Sequence, residues 1–125
     1  MTLICDAGAF VALERNDRAM RRRLKAELRA AQPPVSHGGV VAQVWRGGAR
    51  QALLARALSA VEISGLDREL GRKAGALLGR ARARDAIDAA VVALAVDDDR
   101  IVTSDPDDIH ALVAASGVHV DVIPV

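Results

Sequence analysis

The sequence predicts an α/β protein, a single domain over residues 1–125 in three layers, with helices on both faces of a central parallel sheet of four to five strands. Three observations predict it. Short apolar runs with strand character alternate with longer segments of helical periodicity along the whole chain. Several of those apolar runs end on an Asp or Gly, the residues that close a strand and open a helix. The composition is 51% hydrophobic, much of it Ala and Val, which suits close packing of helices on a sheet.

The elements follow in order. Leu3-Ile4-Cys5 is fully apolar and reads as a buried parallel strand, closed by Asp6. A helix is expected from Ala7 to Glu14. Asp17 is positioned to cap the next helix, which carries Met20, Leu24 and Leu28 on one face and Arg or Lys on the other, and which Pro33-Pro34 stops. A short strand falls at Val35-Ser36, followed by Gly38-Gly39 and a helix from Val40 to Trp45. Gln51–Leu58 is helical and Val61–Ser64 is a strand. Asp67 caps a helix to Arg82 whose apolar face is Leu70, Ala74, Leu77 and Leu78. Asp85 opens a helix over Ala86–Val96 that is apolar nearly all round, and therefore buried. Asp97-Asp98-Asp99 is a turn, Arg100–Ser104 a strand, Pro106–Ser116 a helix and Val118–Val122 a last strand, with Pro124 suited to a sheet edge.

Composition excludes several functions. Phe10 and Trp45 are the only aromatic residues, so the chain lacks the stacking platform that single-strand binders use. Cys5 is the only cysteine, which rules out an intrachain disulfide and leaves it as a small buried hydrophobe. The segment Met1–Asp6 has no basic stretch and reaches an acid too early for a secretory leader. No uncharged apolar run approaches the roughly 20 residues of a membrane span. A cytoplasmic protein without membrane contact is expected. The net charge is only +1, but 15 of the 17 basic residues are Arg, clustered at Arg15–Arg29, Arg46–Arg56 and Arg68–Arg84. Arg presents a planar fork that suits phosphate, although such clusters are also ordinary solvated helix faces.

The acids sit where an α/β sheet does its chemistry. In a parallel sheet the strands end at one common edge, and ligands bind there. Asp6 directly follows the first strand and Asp105 directly follows Arg100–Ser104. Asp85 and Asp88 lie in the first turn of the helix preceding that strand, three residues apart on one face. Three distant segments thus bring acids to one rim. Each acid also has a structural role open to it. Asp6 and Asp85 can cap their helices, and Asp105-Pro106 is a good cap-then-first-turn pair with Asp108 behind it. Asp88 fits a structural role worst, because an unpaired carboxylate inside an apolar helix is unfavourable. Two carboxylates about 4 Å apart repel by about 4 kcal/mol at an effective dielectric near 20, so such a cluster holds a proton or recruits a cation. Oxygen-only ligands select Mg²⁺ or Mn²⁺, and no Cys/His set has zinc spacing. His37, His110 and His119 stand singly and are expected to be structural.

These residues resemble the PIN-domain family, and within it the VapC-type toxin ribonucleases of type II toxin–antitoxin systems. Four blocks carry the resemblance across essentially the whole chain: Leu3–Phe10, Val40–Gly47, Asp88–Ala95 and Ile101–Asp105. It implies a Mg²⁺-dependent endoribonuclease, with Mn²⁺ as an alternative ion, in which Asp6, Asp88 and Asp105 are the catalytic metal-binding carboxylates. Asp85 and Asp108 would be supporting acids, with Gln43 and Arg46 beside them. RNA is the implied substrate, and a cognate antitoxin and a second copy of the chain are the implied partners. One departure stands out: many family members carry Glu where this chain has Gln43. An amide brings no charge, so a catalytically weak or inactive RNA- or protein-binding module is the competing expectation. Trp45 is expected in the core or at a dimer interface. Arg46 is expected to contact phosphate, pair with the acids or remain solvated.

Other rim-acid enzymes fit less well. A haloacid-dehalogenase-like phosphatase needs a second Asp two residues after the first, where this chain has Gly8. A receiver domain needs an acidic pair near the first strand and a late Lys, and the only lysines are Lys25 and Lys73. A dinucleotide fold needs a glycine-rich first turn, and Asp6–Phe10 supplies one glycine.

Overall fold

A computed structural model describes residues 1–125. The elements are β1 (Leu3–Cys5), α1 (Ala7–Glu14), α2 (Arg18–Arg29), β2 (Val35–His37), α3 (Gly38–Val44), a 3₁₀ turn (Ala49–Gln51), α4 (Ala52–Ala60), β3 (Glu62–Ser64), α5 (Arg68–Ala81), α6 (Ala86–Ala93), β4 (Arg100–Thr103), α7 (Pro106–Ser116) and β5 (Asp121–Pro124). The five strands form one parallel sheet in the order β3-β2-β1-β4-β5. Helices flank it in two groups: α1 packs with α2, α3 and α4, while α5, α6 and α7 pack on one another. The fold is three-layer α/β/α, and no helix is long and apolar enough to cross a membrane.

The core is one cluster of 25 buried apolar residues, centred on β1, β4 and the helices that cross them. Phe10, Leu3, Ile4, Ile101 and Val91 are fully enclosed. Burying a side chain of that size contributes about 1.5–3 kcal/mol. Helix starts are set largely as expected: Asp6, Asp17, Asp67 and Asp85 each accept backbone N–H groups of their own first turns. Arg100 ties β4 to α2 through a 2.7 Å ion pair with Glu27, a carboxylate buried on α2 along with Met20.

Several boundaries differ from expectation for identifiable reasons. α6 stops at Ala93, not Val96, because the buried Asp99 carboxylate draws the chain into a turn. Its Oδ2 accepts the Val96 N–H at 3.0 Å and its Oδ1 accepts the Thr2 N–H at 2.8 Å. The last strand is Asp121–Pro124 instead of Val118–Val122. The His119 backbone is engaged by that same turn, donating to Asp97 at 2.9 Å and accepting from Asp98 at 2.8 Å, so pairing with β4 begins at Asp121. Pro124 does lie on the sheet edge. α3 begins at Gly38, two residues early, capped by the His37 ring. α4 begins at Ala52 and runs to Ala60, with Gln51 turned inward: its side chain accepts the Arg46 and Gly47 N–H groups and donates to Glu14 and to the Val44 carbonyl. Trp45 is 40% exposed and so is not a core residue.

Four connections use left-handed backbone without glycine: at Asn16 and Asp98, residue types that tolerate it, and at Ala31 and Arg82, which do not. Ala31 follows α2 at φ 55° and Arg82 ends α5 at φ 53°. Each of these two costs about 1 kcal/mol that a glycine would avoid.

Candidate functional site

Strand order creates the crevice in which the acids meet. β1 and β4 are neighbours, but the chain leaves β1 into α1 on one face and leaves β4 into α7 on the other. The two connections diverge, opening a cleft at the carboxyl ends of the strands. Asp6 and Asp105 flank it, one after each strand.

Asp6 is buried, with 4% exposed. Its Oδ1 accepts the N–H groups of Gly8 at 2.8 Å and Ala9 at 3.4 Å, while its own N–H donates to the Val102 carbonyl at 3.2 Å. The expected capping role is therefore real, and it locks the carboxyl at the strand end. Gly8 allows α1 to pass the end of β4: a Cβ there would stand 2.5 Å from the Ser104 Cβ and Oγ.

Asp105 departs from the capping expectation. It occupies the cap position of α7, yet its side chain caps nothing. The backbone there has ψ 65°, away from the extended values of the other four Asp caps, and the Thr103 hydroxyl accepts the Asp105 N–H at 2.9 Å. The Asp105 carboxylate is left exposed at the cleft.

Asp88 is half-buried in the first turn of α6. Asp85 Oδ1 accepts both the Ile87 and Asp88 N–H groups at 3.0 Å, which commits Asp85 to capping and leaves the Asp88 carboxyl without a hydrogen bond. The fully buried His37 fastens this turn to the sheet. Its Nδ1 accepts from Gly39 at 3.0 Å, which makes Nε2 the donor to the Ile87 carbonyl, also at 3.0 Å. Burial lowers the His37 pKa, so the ring is neutral and structural, in line with expectation. His110 and His119 are exposed.

The electrostatics link the segments. Burial first, and then the charges of Asp85, Asp6, Asp105 and Asp108 in that order, together push the Asp88 carboxyl up to about 6. Asp6 is also raised, by burial first and by Asp105 in small part, against the lowering effects of the Thr103 hydroxyl and the Ala9 and Gly8 amides. Five acids from three segments thus act on one another. As the side chains stand, no three His, Cys, Asp or Glu groups are close enough to hold one ion. The donor set is nevertheless all carboxylate, the chemistry of a hard cation. Mg²⁺ commonly takes one or two direct carboxylates and reaches others through its waters.

The supporting residues divide. Asp108, exposed in the first turn of α7, lines a groove of about 420 Å³ with Asp85 and Asp88. Gln43 is exposed on α3 and makes no hydrogen bond to any acid. Arg46 folds back on its own helix, donating to the Ala42 and Trp45 carbonyls at 3.0 and 2.7 Å, and pairs with no acid. Thr103 and His37 were not singled out from the sequence as parts of the site. Each has one local contact, Thr103 with the Asp105 N–H and His37 with the Gly39 N–H, but the links that tie them to the acids' segments, to Asp6 and to Ile87, exist only in the fold. Cys5, beside Asp6, is chemically quiet: burial, above all, pushes its thiol up to about 12.

No protein-family model matches the chain, and no curated protein matches it as a relative.

Proposed function

We propose that this protein is a Mg²⁺- or Mn²⁺-dependent endoribonuclease of the PIN type, acting as the toxin of a VapBC-like toxin–antitoxin pair in the cytoplasm. One observation carries the reading. Asp6, Asp88 and Asp105 come from three separate segments to one strand-end cleft, and their mutual repulsion helps hold Asp88 near 6. A carboxylate kept half-buried without a partner is unfavourable for folding alone, and such arrangements cluster at functional sites.

In this reading Asp6, Asp88 and Asp105 would share the cation, one or two of them directly and the rest through its waters. Asp6 is the fixed member, locked by two backbone amides, while Asp88 and Asp105 have carboxyls uncommitted to capping. A divalent ion bound there neutralises phosphate charge and makes water more acidic. Asp85 orients the turn carrying Asp88, and Asp108 adds negative charge at the mouth. Hydrolysis joins a water oxygen to phosphorus and breaks one P–O ester bond. A carboxylate of the cluster takes the water's proton, and the departing oxygen is protonated from solvent.

Protein partners, an antitoxin and a second copy of the chain, belong to the same proposal. Leu28 and Leu53 are each 41% exposed and share a groove between α2 and α4 rimmed by Arg21, Lys25 and Arg56, which supports a protein contact on that face.

The test is purified protein with end-labelled RNA, with and without Mg²⁺, beside Asp6→Asn. Metal-dependent cleavage that the variant loses is expected. RNA binding without cleavage in either protein would instead favour the non-cutting module that Gln43 brings into consideration.

A further inference from the structure

We propose that Arg82 and Arg84, in the link between α5 and α6, form a phosphate-binding rim that holds the RNA backbone beside the acid cluster. This deepens the nuclease reading and rests on it for the identity of the polyanion.

The link joins the last turn of α5 to the Asp85 cap of α6. Arg82, Arg84, Asp85, Asp88, Asp108 and Leu112 share the groove of about 420 Å³. Both arginines are exposed, and neither makes an ion pair or a side-chain hydrogen bond, although three carboxylates line the same groove. Only Arg46, Arg80 and Arg100 donate to backbone carbonyls or pair with an acid, so most arginines of the chain are equally free; what sets Arg82 and Arg84 apart is that they line one groove with three of the clustered acids. Two free guanidinium groups beside a cation-seeking cluster match a chain of regularly spaced phosphates. One phosphate would lie beside the acids, with its neighbours at the arginines.

The backbone gives an independent observation. Arg82 sits at φ 53°, ψ 39°, and its N–H and that of Ala83 both donate to the Leu78 carbonyl, the closing turn that glycine favours. An arginine there works against local stability and makes no side-chain hydrogen bond or ion pair within the chain. That pattern is the one expected where a side chain is kept for a ligand. Ala31 occupies the same kind of turn after α2, away from the acids, and provides an internal control.

The experiment uses the full chain in EDTA, where metal-dependent cleavage does not run, with a fluorescein-labelled unstructured 12-nucleotide RNA followed by anisotropy over a salt series. Arg82→Gly and Arg84→Gln are each expected to weaken binding about five-fold and to lower the slope of log affinity against log salt by about 0.7. Arg82→Gly also raises the melting temperature by about 2–4 °C, whereas Arg82→Lys restores the salt slope without that rise. Ala31→Gly raises the melting temperature similarly and leaves RNA binding unchanged. Wild-type affinity and slope in the Arg82→Gly/Arg84→Gln double variant would overturn the proposal. So would an equal loss in Ala31→Gly, or an Arg-dependent affinity for a Glu-rich peptide with none for RNA. Arg-dependent RNA binding in a protein that never cleaves in Mg²⁺ would remove the nuclease reading and keep this one. Cleavage with binding unmoved by both substitutions would do the reverse.

Discussion

Replacing Asp88 with Asn should make the metal-free protein more stable while removing its activity. The Asp88 carboxyl rises from an ordinary 3.8 to about 6 through burial and four neighbouring acids, so at neutral pH the folded state holds a charge that the unfolded state carries more easily. That rise corresponds to a ceiling of about 3 kcal/mol, and because the group is only half-buried, solvent screening reduces the expected gain to about 1 kcal/mol. The sign follows from proton binding. A carboxyl raised on folding favours the folded state fully below its unfolded pKa, and this stabilisation is lost as pH rises through about 6. Asn avoids the loss, so the advantage of Asp88→Asn should be present at pH 7.5 and shrink as pH falls from about 6 toward 3.8. Urea denaturation in EDTA at pH 7.5 and pH 4.5 measures it. An Asn variant less stable than wild type at pH 7.5, or a gain of equal size at both pH values, would refute the reasoning.

Other substitutions test the scaffold and the departure at position 43. Gly8→Ala places a Cβ 2.5 Å from Ser104 and should cost about 1–3 kcal/mol, read by urea denaturation, while displacing Asp105 from Asp6. His37→Ala strands the Gly39 N–H and the Ile87 carbonyl and should destabilise by about 2–4 kcal/mol in the same assay. Asp99→Ala frees two backbone N–H groups at the opposite edge of the sheet and should cost about 2–3 kcal/mol with no change in cation affinity by calorimetry. Gln43→Glu should tighten Mg²⁺ binding by adding negative charge, and an unchanged calorimetric affinity would remove Gln43 from the site.

Much of this site was legible in the sequence because its signals are local. A three-residue apolar run ending at Asp6, an Asp-Pro start at Asp105, and a carboxylate misplaced in the apolar segment after Asp85 can all be read without the fold. Right-handed βαβ connectivity then brings them to one edge. The features that escaped depend on distant partners. His37 acts on Ile87, fifty residues away, and Asp99 on Thr2, ninety-seven away. The alternating valines at 118, 120 and 122 have strand periodicity, but the Asp97–Asp99 turn occupies the His119 backbone and shifts the strand to Asp121. Arg82 was missed for a related reason: left-handed backbone at a non-glycine leaves no compositional mark. Asp105 illustrates the converse, since its sequence has every mark of a cap while its backbone angle frees the carboxylate.

Binding of a divalent cation in the acid cleft is measured directly by isothermal titration of the metal-free protein with Mg²⁺, repeated with Mn²⁺. Saturable binding in the wild type, abolished in Asp6→Asn and in Asp105→Asn while both remain folded, is the predicted result. Heats that are absent in the wild type, or identical in all three proteins, would contradict it.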